Sequence, residues 1–213
     1  MPSGLSVSSY YDYTNSDVRK YLQGKSVGST FQMDSYLRQY NGSSTVKDLP
    51  SAMELLYATF TGLDIKEDEF IAARDGAAGA MANQETDPQY IFQKDMMESL
   101  FNSPFMRPIT AADVKAADRN VIKGVVREAM ANAADYTFYF VGDIDIEALK
   151  PLLEQYVATL PADGKTVTEK FTINPQFLPN GGTKTDTFTT KMETPQTWVF
   201  IALMGDMPYT SEN

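Results

Sequence analysis

Between Asp135 and Pro161 the hydrophobic pattern of the chain changes period. Tyr136 to Val141 alternates, which predicts a strand, and the alternation breaks at Gly142–Asp143. From Asp145 to about Thr159 the apolar residues Ile146, Leu149, Leu152, Leu153, Tyr156 and Val157 recur at helical spacing, so a helix is expected that stops before Pro161. Asp145 is placed to cap the free amides of its first turn, and Glu147 lies favourably in the dipole there.

The same reading gives the rest of the chain. Residues 1–16 look poorly ordered, with Tyr10, Tyr11 and Tyr13 free to pack onto something. A short helix over 17–23 follows, capped by Asn15 or Ser16 and ended by Gly24. Two strand-like runs, 26–32 and 35–41, flank a turn at Met33–Asp34. Helices are expected over about 46–61, capped by Ser44 or Thr45 with Pro50 in its first turns, and over about 66–84, with Asp64 as cap. Ala72, Ala73, Ala77, Ala78, Ala80, Ala82, Gly76 and Gly79 form a small-residue surface suited to close packing. Asp87–Pro88 starts a third helix through about Leu100. Thr110-Ala111-Ala112-Asp113 resembles a capping box opening a fourth that runs to about Ala131. Beyond a Pro/Gly/Thr/Asn-rich connection with one strand at Val167–Ile173, strands are expected over 185–192 and 196–204. The second of these, Trp198 to Leu203, is nearly continuously apolar and wants burial on both faces. PYTSEN then reads as the start of another capped helix.

Composition narrows the function classes. The 213 residues suffice for one sizeable domain, or one domain plus a fragment, and 43% hydrophobic with 22% charged residues is ordinary for a globular protein. A net charge of −10 without a Lys/Arg cluster argues against nucleic acid. No apolar run approaches the roughly 20 residues that span a bilayer. The N-terminus has neither the basic stretch nor the apolar core of a signal peptide, so Met1 is read as an engineered start with any export signal upstream.

The chain has no cysteine and no histidine. Disulfides, thiolate nucleophiles and the commonest general base are therefore missing. Three carboxylate clusters remain: Asp143, Asp145 and Glu147; Glu67, Asp68 and Glu69; Asp113 and Asp118. The first has the D-x-D-x-E look of a calcium loop but lacks its sixth-position glycine and distal glutamate, and helix capping explains it better. The second lies in a helix first turn, where negative charge is favoured for structural reasons. Gly142 and Gly181–Gly182 belong to no nucleotide-binding pattern, and Lys25 with Ser26 lacks a spacing that activates serine. No pair of acids is singled out for glycoside hydrolysis. No catalytic, cofactor-binding or metal-ligating residue emerges.

Several motifs occur in a recognisable order. Asp17 to Val27 reads DVRKYLQGKSV. Asn41-Gly42-Ser43-Ser44 and Lys47-Asp48-Leu49 come next, then Leu55-Leu56-Tyr57 and Phe60-Thr61. Later come Asn132-Ala133-Ala134-Asp135-Tyr136-Thr137-Phe138 and Val141-Gly142-Asp143. Together they resemble the non-catalytic half of the insulinase/pitrilysin zinc metallopeptidases, over roughly Asp17 to Asn213. That resemblance implies an α+β fold, a mixed or antiparallel sheet covered by helices on one face. By the same resemblance a truncated metallopeptidase-like α/β sandwich domain is expected, one without the domain's first strands and helix. The organisation expected is a flexible segment over 1–16, the family-like domain over 17–184, and strands over 185–213 that begin the next domain or complete the sheet.

The resemblance further implies a chamber wall that holds peptide, in a parent assembled from four such domains in two halves. Family catalysis uses H-x-x-E-H to bind zinc and activate water, and none of it can be matched here. Zinc is expected in the catalytic half of the parent or of a partner, and none in this chain. The partners implied are a peptide substrate and a catalytic domain, in cis or as a partner subunit in trans. An alternative is a scaffold subunit of a family complex with no catalytic half in the same chain. A bacterial periplasm or envelope location is expected on family grounds alone.

Overall fold

The computed structural model describes residues 9–34, 37–101, 103, 105–165, 178–203 and 205. The expected strand at Val167–Ile173 and the helix start at PYTSEN lie outside them. The chain divides into two compact units, 1–78 with 112–169, and 79–111 with 170–213.

The first unit is built around one helix. Strand β1 (Ser9–Tyr10) leads to helix α1 (Asn15–Tyr21), and a hairpin of β2 (Val27–Met33) and β3 (Arg38–Ser44) follows. A 3-10 turn at Val46–Asp48 runs into α2 (Leu49–Gly62), with Pro50 where its missing amide costs nothing. Strand β4 (Leu63–Asp64) pairs antiparallel with β1 through Ser9–Asp64 and Tyr10–Leu63, and α3 (Glu67–Gln84) begins three residues on. In the hairpin Val27 faces Ser44 and Met33 faces Arg38. Its loop closes through the Asp34 amide on the Leu37 carbonyl and the Leu37 amide on the Asp34 carboxylate.

The core of this unit gathers Met53, Leu56 and Phe60 of α2 with Met130, Ala133 and Leu160. Phe31 and Tyr40 of the hairpin pack on it from one direction; Tyr136, Phe138, Phe140, Leu152, Leu153, Tyr156 and Val157 pack from others. A second cluster joins Tyr10, Leu55, Leu63 and Val126. In the second unit the expected helix appears as α4 (Pro88–Leu100), with Asp87 accepting from the Gln89 and Tyr90 amides. There the Phe92 ring meets Phe188 and Trp198 edge-on, at centroid distances of 6.5 and 5.7 Å.

Several expectations need correction. Within the N-terminal segment, Ser9–Tyr10 form strand β1, paired with β4. Thr14, not Asn15 or Ser16, caps α1, through a reciprocal box with Asp17. Asp64 does not cap α3; it sits in β4, bound by two lysines. The fourth helix is two, α5 (Ala111–Lys115) and α6 (Arg119–Met130), because Asp118 takes an extended backbone and caps a fresh start on the Asn120 and Val121 amides. The helix after Asp145 is capped as expected, but α7 (Ile146–Leu152) holds Pro151 and passes into a π-helical turn at Leu153–Val157. Proline removes a donor and crowds the preceding turn, and a widened turn is one way the backbone absorbs it. Of the small-residue surface only Ala78 is buried, and an added Cβ at Gly76 would meet nothing within 4 Å.

The largest correction concerns strands. Tyr136–Val141 and residues 185–203 form no strand and join no ladder among the described residues, and the second stretch bends at Glu193–Thr194. The alternation of the first segment survives in its burial. Tyr136, Phe138 and Phe140 face the core, while Tyr139 and Val141 are 83% and 93% exposed. Periodicity reports which face is covered, not whether the edge is paired. Val199, Ile201 and Leu203 are also exposed, so the two-sided burial expected of that run is not found.

One core position makes a clean stability test. Tyr40 packs against the core with its hydroxyl buried and in no hydrogen bond of ordinary geometry. Burial pushes its phenol up to about 12, with the Ser29 side chain drawing it back in part. The native state then keeps its proton where the unfolded chain has lost it. Stability from this group is therefore full below about pH 10 and falls as pH rises from there towards 12. Tyr40→Phe should be neutral or stabilising by up to ~1 kcal/mol at pH 7, since both states lose a group that one leaves unpaired. It should also flatten the alkaline limb of denaturant midpoints measured against pH.

Candidate functional site

Most of the carboxylates singled out in the sequence turn out to be structural, while Asp143 is exposed at the bend before α7. Asp145 accepts from the Glu147 amide at 2.9 Å, and Glu147 lies in the first turn of α7. Asp118 caps α6, and Asp113 lies in the first turn of α5. Glu69 is a clasp: it accepts from the Ser9 hydroxyl and, at 2.8 Å, from the Asn15 amide, so β1 and α1 are tied to the start of α3. Glu67 pairs with Arg119 at 3.8 Å. Asp68 is exposed, and no cluster of three His, Cys, Asp or Glu among the described residues could hold a metal. Without histidine or cysteine the donors present do not fit a zinc site.

What the sequence did not reveal is a polar corner where β1, β4, α2 and α6 meet. Asp64 Oδ2 takes the Lys66 ammonium at 3.0 Å. Oδ1 makes no hydrogen bond of ordinary geometry, and the Lys123 ammonium lies directly against it as an ion pair. Burial alone would push this carboxyl up. The Lys123 ammonium against Oδ1, with the Lys66 ammonium and the Ile65 amide, outweighs it and holds the group well below the usual carboxylate range. Lys123 comes from α6, 59 positions along the chain, a pairing with no local signal.

Tyr11 shapes the same corner from a left-handed backbone, φ 52°. Its amide donates to the Gly62 carbonyl at 2.6 Å, its carbonyl accepts from Lys66 at 2.5 Å, and its hydroxyl meets the Thr61 hydroxyl at 2.5 Å. The ring lies across Gly62, where an added Cβ would come within 2.5 Å of it. Three tyrosines in the N-terminal segment were the only signal, and they gave no indication of which one would turn.

No protein-family model matches the chain. A curated relative, a zinc protease PQQL-like protein of Arabidopsis thaliana, is 26% identical over 141 residues, which is 64% of this chain and 15% of that protein. A mutant of the ferredoxin protease FusC, solved in complex with Arabidopsis ferredoxin, matches 81% of this chain at a TM-score of 0.63 and 17% identity. By sequence and by fold, the chain resembles the insulinase/pitrilysin-type metallopeptidases. The periplasmic protease PqqL of Escherichia coli matches 76% of the chain at a TM-score of 0.53 and 18% identity. A protease from Helicobacter pylori matches 81% at 0.54 and 17%. The chain spans 18% of the FusC and PqqL chains and 41% of the Helicobacter protease. The α+β class expected from the sequence holds, as helices with two small antiparallel sheets. Among the described residues no helix is long and apolar enough to cross a membrane.

Proposed function

We propose that the chain is a non-catalytic domain of a zinc metallopeptidase and shapes the chamber in which peptide is held. One observation carries this reading. A fold matched over 81% of the chain to a protease is built here from a sequence without a single histidine. The inverted-zincin centre needs two imidazoles and a glutamate, so cleavage would depend on a catalytic half in the same polypeptide or in a partner subunit. The chain's contribution would be wall and contact surface. The exposed Tyr139 and Val141, on an extended segment whose other face is anchored in the core, are suited to it. The likeness to a periplasmic protease favours an envelope location. The domain organisation proposed is a flexible segment over 1–16, the family-like body over 17–184, and 185–213 beginning the next domain or completing the sheet.

Incubation of the purified chain with a quenched-fluorescent peptide library, with and without added zinc, tests the proposal. No turnover is expected in either condition. Chelator-sensitive cleavage that copurifies with the chain through successive columns would sink it.

A further inference from the structure

The polar corner holds two charges that the fold leaves unused. A cavity of about 410 Å³ opens beside the C-terminal turn of α2, bounded by the Tyr11–Asp12 turn, β4 and α6. Phe60, Leu63 and Met130, all buried core side chains, line its floor among mostly polar neighbours. Asp12 and Arg127 stand at its edge. Both are exposed, and neither takes part in an ion pair or side-chain hydrogen bond among the described residues. The nearby lysines are occupied, since Lys66 and Lys123 both bind Asp64. Arg127 is thus the cation of this corner that remains open to a ligand.

The wall of the cavity is also strained. Tyr11 is held in a left-handed conformation by contacts from Gly62, Thr61 and Lys66, and its ring excludes any side chain larger than hydrogen at Gly62. A non-glycine residue in that region costs of order 1–3 kcal/mol and persists only where its surroundings over-determine it, which is a recurrent feature of ligand clamps.

We propose that the cavity receives the C-terminal residue of a peptide. An apolar terminal side chain would cover the floor, and the terminal carboxylate would meet the Arg127 guanidinium, whose planar fork matches a carboxylate with two parallel hydrogen bonds. Asp12 in the same lining opposes any anion, so the guanidinium contact must outweigh it for the terminal carboxylate, and an acidic side chain beside the terminus is disfavoured further. This inference rests on the peptide-handling role proposed above and assigns it a place.

Fluorescence anisotropy of the 213-residue chain with an N-terminally labelled pentapeptide ending in leucine tests it, using the free acid and the carboxamide. The acid should bind about tenfold or more tightly than the amide, the scale of one charge-assisted contact. Arg127→Gln should erase that preference and Arg127→Lys should keep part of it. Arg127 is exposed, so circular dichroism of both variants should match the parent chain. Equal binding of acid and amide, unchanged in R127Q, overturns the site and leaves the peptide-handling role standing. Binding of neither peptide also overturns the site, while the non-catalytic role is decided by the cleavage assay above.

Discussion

Phe60→Ala should destabilise the first unit by about 3–5 kcal/mol, the range for removing a packed aromatic side chain from a core. Phe60 is 7% exposed and belongs to the cluster that joins α2 to Met130, Ala133 and Leu160. Its ring stands edge-on to Tyr136 with centroids 5.0 Å apart and tilted to Phe138 at 6.0 Å. Alanine would therefore open a cavity and remove two aromatic contacts, each worth roughly 0.5–1.5 kcal/mol beyond the buried area. The substitution also frees the extended segment Tyr136–Val141, which has no ladder bonds to hold it among the described residues. Urea unfolding followed by far-UV circular dichroism measures the effect as a lower midpoint with little change in slope. Trp198 fluorescence follows the other unit separately, since Trp198 packs on Phe92 there. A loss below about 1 kcal/mol would mean that Phe60 is not the keystone of this core.

That dependence on one residue explains which parts of the fold could be read from the sequence. Helices announce themselves locally. Asp87–Pro88 marks the start of α4 and Asp145 the start of α7, because a cap and the amides it satisfies lie within three residues of each other. The break between α5 and α6 was equally local but hidden, since Asp118 is as plausible inside a helix first turn as at a cap until its backbone is seen to be extended. Strands are different. Tyr136–Val141 shows the alternation of a half-buried strand and is half-buried, yet its pairing depends on what lies alongside, which six residues of sequence do not encode. The run from Trp198 to Leu203 carries the same lesson, because an apolar sequence states a demand for cover without supplying it.

The candidate site was the least legible part. Asp118, Asp145, Glu69 and Glu67, which looked chemical by spacing, cap, clasp or pair, and the corner that gathers Tyr11, Asp64, Lys123 and Arg127 draws on residues more than a hundred positions apart. The absence of histidine was the one decisive functional statement in the sequence. Absences of a donor type survive any folding, whereas proximity does not.

Asp64→Asn is the second large effect expected, a loss of about 1–3 kcal/mol at pH 7. Breaking a fully buried ion pair by removing one partner costs about 3–5 kcal/mol, and partial solvent access reduces it. Here the Asp64, Lys66 and Lys123 side chains retain 19%, 25% and 22% of their exposure, so two ammonium groups would be left facing each other with little water. The pH dependence has a definite sign. Because the folded-state pKa is depressed, the unfolded chain binds the proton first as pH falls. The stabilisation is therefore complete above the ordinary carboxylate value near 4 and is lost progressively as pH drops from there through the lower folded value. Thermal midpoints measured from pH 7 downward should converge for the parent chain and D64N in acid. Lys123→Met would separate charge from packing. If the lysine pair is what holds the carboxyl down, K123M should shift the acid limb upward in pH, whereas an unshifted limb would leave the depression to Lys66 and the Ile65 amide alone. The corner that holds the proposed peptide terminus is thus expected to loosen in acid. The peptide's own carboxylate, with an ordinary value of about 3.5, protonates over the same range, so only a parallel weakening of the carboxamide peptide would trace to Asp64.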